Sequence, residues 1–248
     1  MLRAGAATLP AGDCTALAQG LRDALTPITA LDVLRKGNER FVNNLKANRN
    51  LLQQVNETSN GQHPLAITLS CIDSRTSAEL VFDQGLGDIF SCRIAGNVLN
   101  DDILGSMEFA CKVSGAKVIV VLGHSRCGAI KGACDGVELG NLTGLLHKIG
   151  EAIALETDTV DDRSSANSAF VERVAELNVL LVKQQIIERS PLLADMVERA
   201  ELAIVGGCTT WRAGRWRSTT AACSWARRDP RDPPAGGRQT PPEGSHQF

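Results

Sequence analysis

Four short apolar-rich segments punctuate the chain, at residues 65–70 (LAITLS), 89–94 (IFSCRI), 117–122 (KVIVVL) and 202–205 (LAIV). Near-continuous apolar runs of this length, without in–out alternation, mark strands covered on both faces. The stretches between them carry helical spacing. Residues 31–44 predict an amphipathic helix, with Leu31, Leu34, Phe41 and Leu45 near one face. Further helices are expected at 99–114, 128–133, 142–155 and from about 166 to 189. Pro191 then interrupts, and a short helix precedes the last strand. Strands alternating with helices predict an α/β fold: a central, mostly parallel sheet of about four strands, flanked by helices and preceded by an amino-terminal helical arm. No internal repeat is apparent.

The 248 residues, 43% of them hydrophobic and few aromatic, suffice for one well-buried core. No apolar run approaches the ~20 residues that span a bilayer. The opening MLRAGAATLPAGDC lacks a charged start followed by a long apolar stretch, so no secretory signal is read there. Arg3 and Arg22 in an acid-poor beginning leave organelle import as an alternative to the default, the cytoplasm.

Composition divides the chain into an arm (1–25), a central domain (26–207) and a tail (208–248). The tail holds all three tryptophans, five of the nine prolines, and seven arginines against three acids. Upstream, 19 basic residues face 25 acidic ones. The tail is thus net +4 on a body of −6, and its Pro/Gly/Arg content suits a disordered segment. A basic, Trp-bearing stretch could hold nucleic acid, but this is the less favoured reading.

The chemistry is concentrated in two segments, each directly after an apolar run: Cys71-Ile72-Asp73-Ser74-Arg75 and His124-Ser125-Arg126-Cys127. Both fall at the ends of predicted parallel strands, where open α/β sheets place their ligands. Two thiolates and an imidazole match the donors zinc prefers, and three protein ligands leave a fourth position open for catalysis. His124 and Cys127, three apart, reach one side of a turn, and Cys71 arrives from the neighbouring strand. Cys92, Cys111 and Cys134 lie in apolar contexts and read as packing. His63 reads as a loop residue and His147 as a helix-surface residue. A CxxC redox protein is excluded, because no two cysteines have that spacing.

The two motifs resemble those of the β-class carbonic anhydrases. CIDSR is similar to that family's CxDSR element and GHSRCGAIKGA to its GHxxCG element. AELVFDQGLGDIFSCRIAGNV and TALDVLRKGNERFV resemble the intervening segment and the amino-terminal helix, so the likeness runs from about Thr26 to Gly207. The family continues after this point with an aromatic, acidic strand. Choosing codons for CTTWRAGRWRSTTA and moving the frame by one nucleotide yields MYDVEGGAVEVYDG, which resembles that strand, so the tail is read as a frameshift product. The likeness implies one zinc per subunit on Cys71, His124 and Cys127. Asp73 and Arg75 correspond to a dyad with two arrangements: paired with each other, or opened so that Asp73 becomes the fourth ligand. Gln62 corresponds to a substrate-binding glutamine supplied across a subunit interface. Phe90 corresponds to an apolar wall of the pocket, and the Gly128 amide to a donor for bicarbonate.

The implied reaction is the reversible hydration of carbon dioxide to bicarbonate and a proton, by zinc-bound hydroxide oriented through the Asp–Arg dyad. Two anionic thiolates donate more charge than three imidazoles, so the zinc water should be less acidic than the ~7 of a three-histidine site, and activity should rise with pH. A homodimer or higher homo-oligomer is implied; a membrane or nucleic-acid partner is not expected. The alternatives are a carbonyl sulfide or carbon disulfide hydrolase on the same scaffold, and a catalytically impaired zinc-binding or bicarbonate-sensing protein.

Overall fold

The computed structural model describes residues 16–210 and 214–218. Cys14 and the tail beyond residue 218 lie outside the described residues. Helices α1 (Gln19–Asp23), α2 (Pro27–Val42) and α3 (Leu51–Glu57) precede β1 (Ala66–Ser70). Then come α4 (Ala78–Val81), β2 (Ile89–Arg93), a 3-10 turn at Ala95–Asn97, α5 (Asp101–Glu108) running into a π turn at Phe109–Val113, and β3 (Val118–His124). Helices α6 (Gly128–Cys134), α7 (Gly140–His147), α8 (Gly150–Leu155), α9 (Ser168–Arg189) and α10 (Pro191–Glu198) lead to β4 (Ala203–Thr209) and β5 (Trp216–Ser218).

The strands form one sheet in the order β2-β1-β3-β4-β5. The first four are parallel, with Ala66 opposite both Ile89 and Val118, and Val118 opposite Ala203. The expected mostly parallel α/β sheet is present. β5 adds an antiparallel fifth strand, with Thr209 opposite Trp216.

Side chains alternate across the sheet, as a period of two requires. Ile67, Leu69, Ile119 and Val121 face a core layer with Leu104, Met107, Val179, Ile186 and Leu193. Ala66, Val118, Val120 and Leu122 face the opposite layer, with Leu31, Leu34, Phe82 and Trp216. A third apolar cluster covers the carboxyl ends of the strands, where Cys71 and Cys127 pack with Ile130, Ile149 and Phe170. Both faces are therefore covered, and β1 and β3 are buried throughout, which is why their sequences are apolar without alternation.

Several boundaries differ from the sequence expectation. α2 begins at Pro27 because Thr26 caps it, with Pro at the first turn and a reciprocal Thr26–Thr29 hydrogen-bond pair. It ends at Val42: Asn43 caps it and Asn44 takes a left-handed φ of 54°. Leu45, expected on the buried face, consequently lies beyond the helix and is 66% exposed. The helix expected over 142–155 is two, α7 and α8, broken around Lys148 and Ile149. β3 continues to His124, bringing a candidate ligand into the strand, and β4 continues to Thr209. The sheet thus crosses the compositional boundary at residue 208.

Besides its ladder with β4, β5 is held by one residue of α2. Asn38, buried, donates through Nδ2 to the Val81 carbonyl (2.9 Å) and the Gly214 carbonyl (3.1 Å), and its Oδ1 accepts from the Trp216 amide (2.9 Å). The Trp216 ring meets Phe82 edge-on, centroids 5.5 Å apart. Asn38→Ala strands three backbone groups and should lower the unfolding free energy by about 2–4 kcal/mol. Denaturant unfolding checks this, and a loss below about 1 kcal/mol would show that Asn38 does not hold the β5 edge.

Candidate metal centre

Because β1 and β3 are adjacent and parallel, their carboxyl ends deliver Cys71 and His124 to the same place. Cys71 follows the last residue of β1, and His124 is the last residue of β3. Two further features bring in Cys127. The loop after β3 reverses through Arg126, whose φ is 55°, and Cys127 is the N-cap of α6. The Sγ atoms of Cys71 and Cys127 and a ring nitrogen of His124 all lie within 4.8 Å of one another, and all three residues are buried. This is the only such cluster of three His, Cys, Asp or Glu residues among the described residues.

The histidine tautomer follows from its partner. His124 Nδ1 lies 3.0 Å from the Ser125 carbonyl oxygen. A carbonyl can only accept, so Nδ1 carries the proton and Nε2 keeps the lone pair a metal needs. The sulfurs are 3.8 Å apart. Hydrogen bonding from Cys127 pulls the Cys71 thiol down to about 4, assisted by His124 and the Gly96 amide. Cys127 moves upward, because it bonds to Cys71 and sits beside its charge. One proton between two buried sulfurs is what this pair sustains alone; two thiolates there call for a cation. The donor set fits a divalent, sulfur-tolerant metal with tetrahedral preference, zinc foremost.

Around the donors stands a shell that sequence reasoning assigned no role. The Gly96 amide donates to Cys71 Sγ at 3.4 Å, and the Gly96 carbonyl accepts from buried Asn178 Nδ2 of α9 at 2.9 Å. Gly96 has φ 69°, and a Cβ there would meet Ile149 Cδ1 at 2.9 Å and Ala129 Cβ at 3.3 Å. Only glycine fits. Arg93, ending β2, bonds the carbonyls of Cys71 and Asp73. The available signals were a lone Asn in the apolar stretch of α9 and the Arg and Gly of CRIAGN.

Asp73 and Arg75 form a two-pronged pair. Arg75 Nε donates to Asp73 Oδ1 at 2.9 Å and Nη2 to Oδ2 at 2.8 Å, while the Arg75 amide adds a bond of 3.0 Å. These bonds hold the Asp73 carboxyl at about 2, below its ordinary 3.8. Of the two expected arrangements, the structure shows Asp73 paired with Arg75. Gly128 is exposed, and the space beside its Cα is open.

Gln62 and Phe90 are not brought to this cluster within the subunit. Gln62 is exposed in the loop before β1, separated from Cys71 by all five residues of the strand, about 16 Å of rise. Phe90 pairs with Ile67, four residues before Cys71, and its ring meets Phe109 at 6.3 Å. His63 shares the Gln62 loop, and His147 is exposed on α7.

A parallel α/β sheet presenting a Cys–His–Cys cluster at its carboxyl edge defines the class. The chain belongs to the β-class carbonic anhydrases, the carbonate dehydratases: the family model described as carbonic anhydrase matches residues 66–216. It is 35% identical over 188 residues to carbonic anhydrase 2 of Mycobacterium tuberculosis, covering 73% of this chain and 86% of that protein. To the carbonic anhydrase of Mycolicibacterium smegmatis it is 34% identical over 183 residues, covering 73% and 87%. Similar solved structures include a tetrameric β-carbonic anhydrase of Sordaria macrospora (TM-score 0.60, 26% identity, 66% of this chain and 85% of that one). A β-carbonic anhydrase of Aspergillus fumigatus has TM-score 0.60 and 28% identity, covering 68% and 81%.

Cys71→Ser should weaken zinc binding by more than the roughly 10–100-fold typical of outer-shell changes. Metal analysis after chelator competition checks this; one tightly held zinc per chain in the variant would contradict the ligand assignment.

Proposed function

We propose that the chain catalyses the zinc-dependent, reversible hydration of carbon dioxide to bicarbonate and a proton. The observation that carries this reading is the buried convergence of Cys71, His124 and Cys127 in a member of the carbonic anhydrase family. Zinc held there, one per subunit, supplies a Lewis acid that makes water a nucleophile near neutral pH. The protein's own groups do the rest. Asp73, kept anionic by Arg75, accepts a hydrogen bond from the nucleophile and orients its lone pair. The Gly128 amide, at the first residue of α6, donates to the oxygen that gains charge during attack.

Gln62, in the loop before β1, and Phe90, near the start of β2, lie too far from the carboxyl ends of the strands to serve their own subunit's cluster, which supports a homodimer in which each site borrows them from the partner. Exposed Leu80, Phe109 and Val113, at 53%, 53% and 72%, are apolar surface that a second copy would cover. Among the described residues no helix is long and apolar enough to cross a membrane. Ligand thiolates suit a reducing compartment, and we place the protein in the cytoplasm.

Asp73→Asn should keep zinc and lose about 10–100-fold in turnover. Carbon dioxide hydration followed by stopped flow, with zinc content measured on the same sample, checks this; full activity would remove the orienting role. The depressed Asp73 pKa fixes the sign of its pH dependence. The stabilisation from pairing with Arg75 is fully present above about 3.8 and disappears as pH falls through about 2. The carboxylate is therefore charged throughout the neutral range. A rise in kcat from pH 7 to 9 would report the nucleophile, and a flat profile would contradict its generation at a thiolate-rich metal.

The tail is read as the product of a one-nucleotide frame change near residue 208. The alternative frame places Val, Glu and Val at positions 216–218, where the structure has the short strand β5, and two of the three are strand-favouring valines. Restoring that frame should raise the melting temperature by several degrees, since about 1 kcal/mol moves a domain this size by roughly 2–4 °C. An unchanged melting temperature, with the present frame intact in the source DNA, would count against the reading.

A further inference from the structure

Resting on the proposed reaction, we propose that Arg93 is the positioning residue that fixes the Cys71–Arg75 loop, and with it the Asp73 carboxylate, relative to the sheet. The β1–β2 ladder has its last backbone bond from the Ile94 amide to the Ser70 carbonyl, at 3.0 Å. Beyond it β1 becomes the loop, and the side chain of Arg93 takes over where the backbone stops. Its Nε donates to the Cys71 carbonyl at 3.1 Å and its Nη2 to the Asp73 carbonyl at 2.6 Å. The two bonds straddle Ile72, which is 59% exposed and so gives the loop little packing.

The Asp73–Arg75 pair cannot perform this task. Its partners are two residues apart in the same loop, and the Thr76 amide closes a turn on the Asp73 carbonyl at 2.9 Å. All these contacts set the shape of the loop and the direction of the carboxylate within it. The Thr76 contact joins the loop to a fully buried residue ahead of α4, but none of these contacts reaches the sheet. Cys71 anchors one end through its burial and its bond from Gly96; Arg93 anchors the segment that carries Asp73. A planar guanidinium presents two N–H directions at fixed separation, so one side chain reaches two carbonyls at once. A lysine in its place would keep the charge and lose the span.

Loss of this clamp leaves the three zinc donors in place and frees the loop to pivot about Ile72. The test compares Arg93→Lys and Arg93→Gln with the unmodified full-length chain, each loaded with zinc. Both variants should retain one zinc per chain. Amide hydrogen exchange across residues 72–77 should accelerate at least about tenfold, with β3 unchanged. Turnover should fall about 10–100-fold while KM moves less than about twofold, because a misplaced carboxylate costs rate rather than substrate binding. Parental turnover and parental exchange in both variants would overturn the proposal, as would zinc loss in proportion to activity, which would assign Arg93 to metal retention instead. If the Gln variant does not fold, the Lys variant decides. If the unmodified chain proves inactive, the proposed reaction fails while the exchange comparison still decides the clamp.

Discussion

Two buried sulfurs 3.8 Å apart cannot both carry charge unless a cation lies between them, and that constraint organises the molecule. The cost of burying unpaired charge forces one thiol to remain protonated when the pair is alone. A divalent ion would convert this frustrated pair, with the lone pair of His124, into a coordination set. The adjacency of β1 and β3 is what makes the pair, because the parallel register from Ala66–Val118 to Ser70–Leu122 brings both strand ends to one level.

Outward from the donors, each layer limits the movement of the one inside it. The Ser125 carbonyl selects the histidine tautomer, Gly96 supplies a hydrogen bond to Cys71, and Asn178 holds Gly96 from the long helix α9. Apolar side chains of α6, α8 and α9 seal the far side. Two carbonyl contacts from Arg93 bring the edge strand β2 into the same scheme. The site therefore draws on nearly every element that packs against the carboxyl end of the sheet, although its three donors come from only two short segments.

That distribution explains what could be read from the residues alone. Buried parallel strands announce themselves as short apolar runs, and CIDSR and GHSRC carry their ligands immediately after such runs, so the donor set and the four parallel strands were legible, whereas β5, set in the compositionally distinct tail, was not. Helix ends were less so: the stop of α2 depends on Asn44 taking a left-handed conformation, and the break between α7 and α8 carries no proline. The supporting shell was invisible for a different reason. Arg93 and Asn178 act on backbone groups 20 and 82 residues away, and no local pattern encodes such a pairing. Gln62 and Phe90 were recognised by resemblance, yet the single subunit keeps Gln62 in the loop before β1 and Phe90 near the start of β2, away from the carboxyl ends of the strands, as a site shared between subunits would.

The central claim is that one metal ion sits among Cys71, His124 and Cys127, and zinc K-edge X-ray absorption of the purified chain tests it most directly. The account predicts one zinc per chain with two sulfur neighbours at about 2.3 Å and nitrogen or oxygen neighbours at about 2.0 Å. A spectrum with no sulfur in the first shell would contradict it.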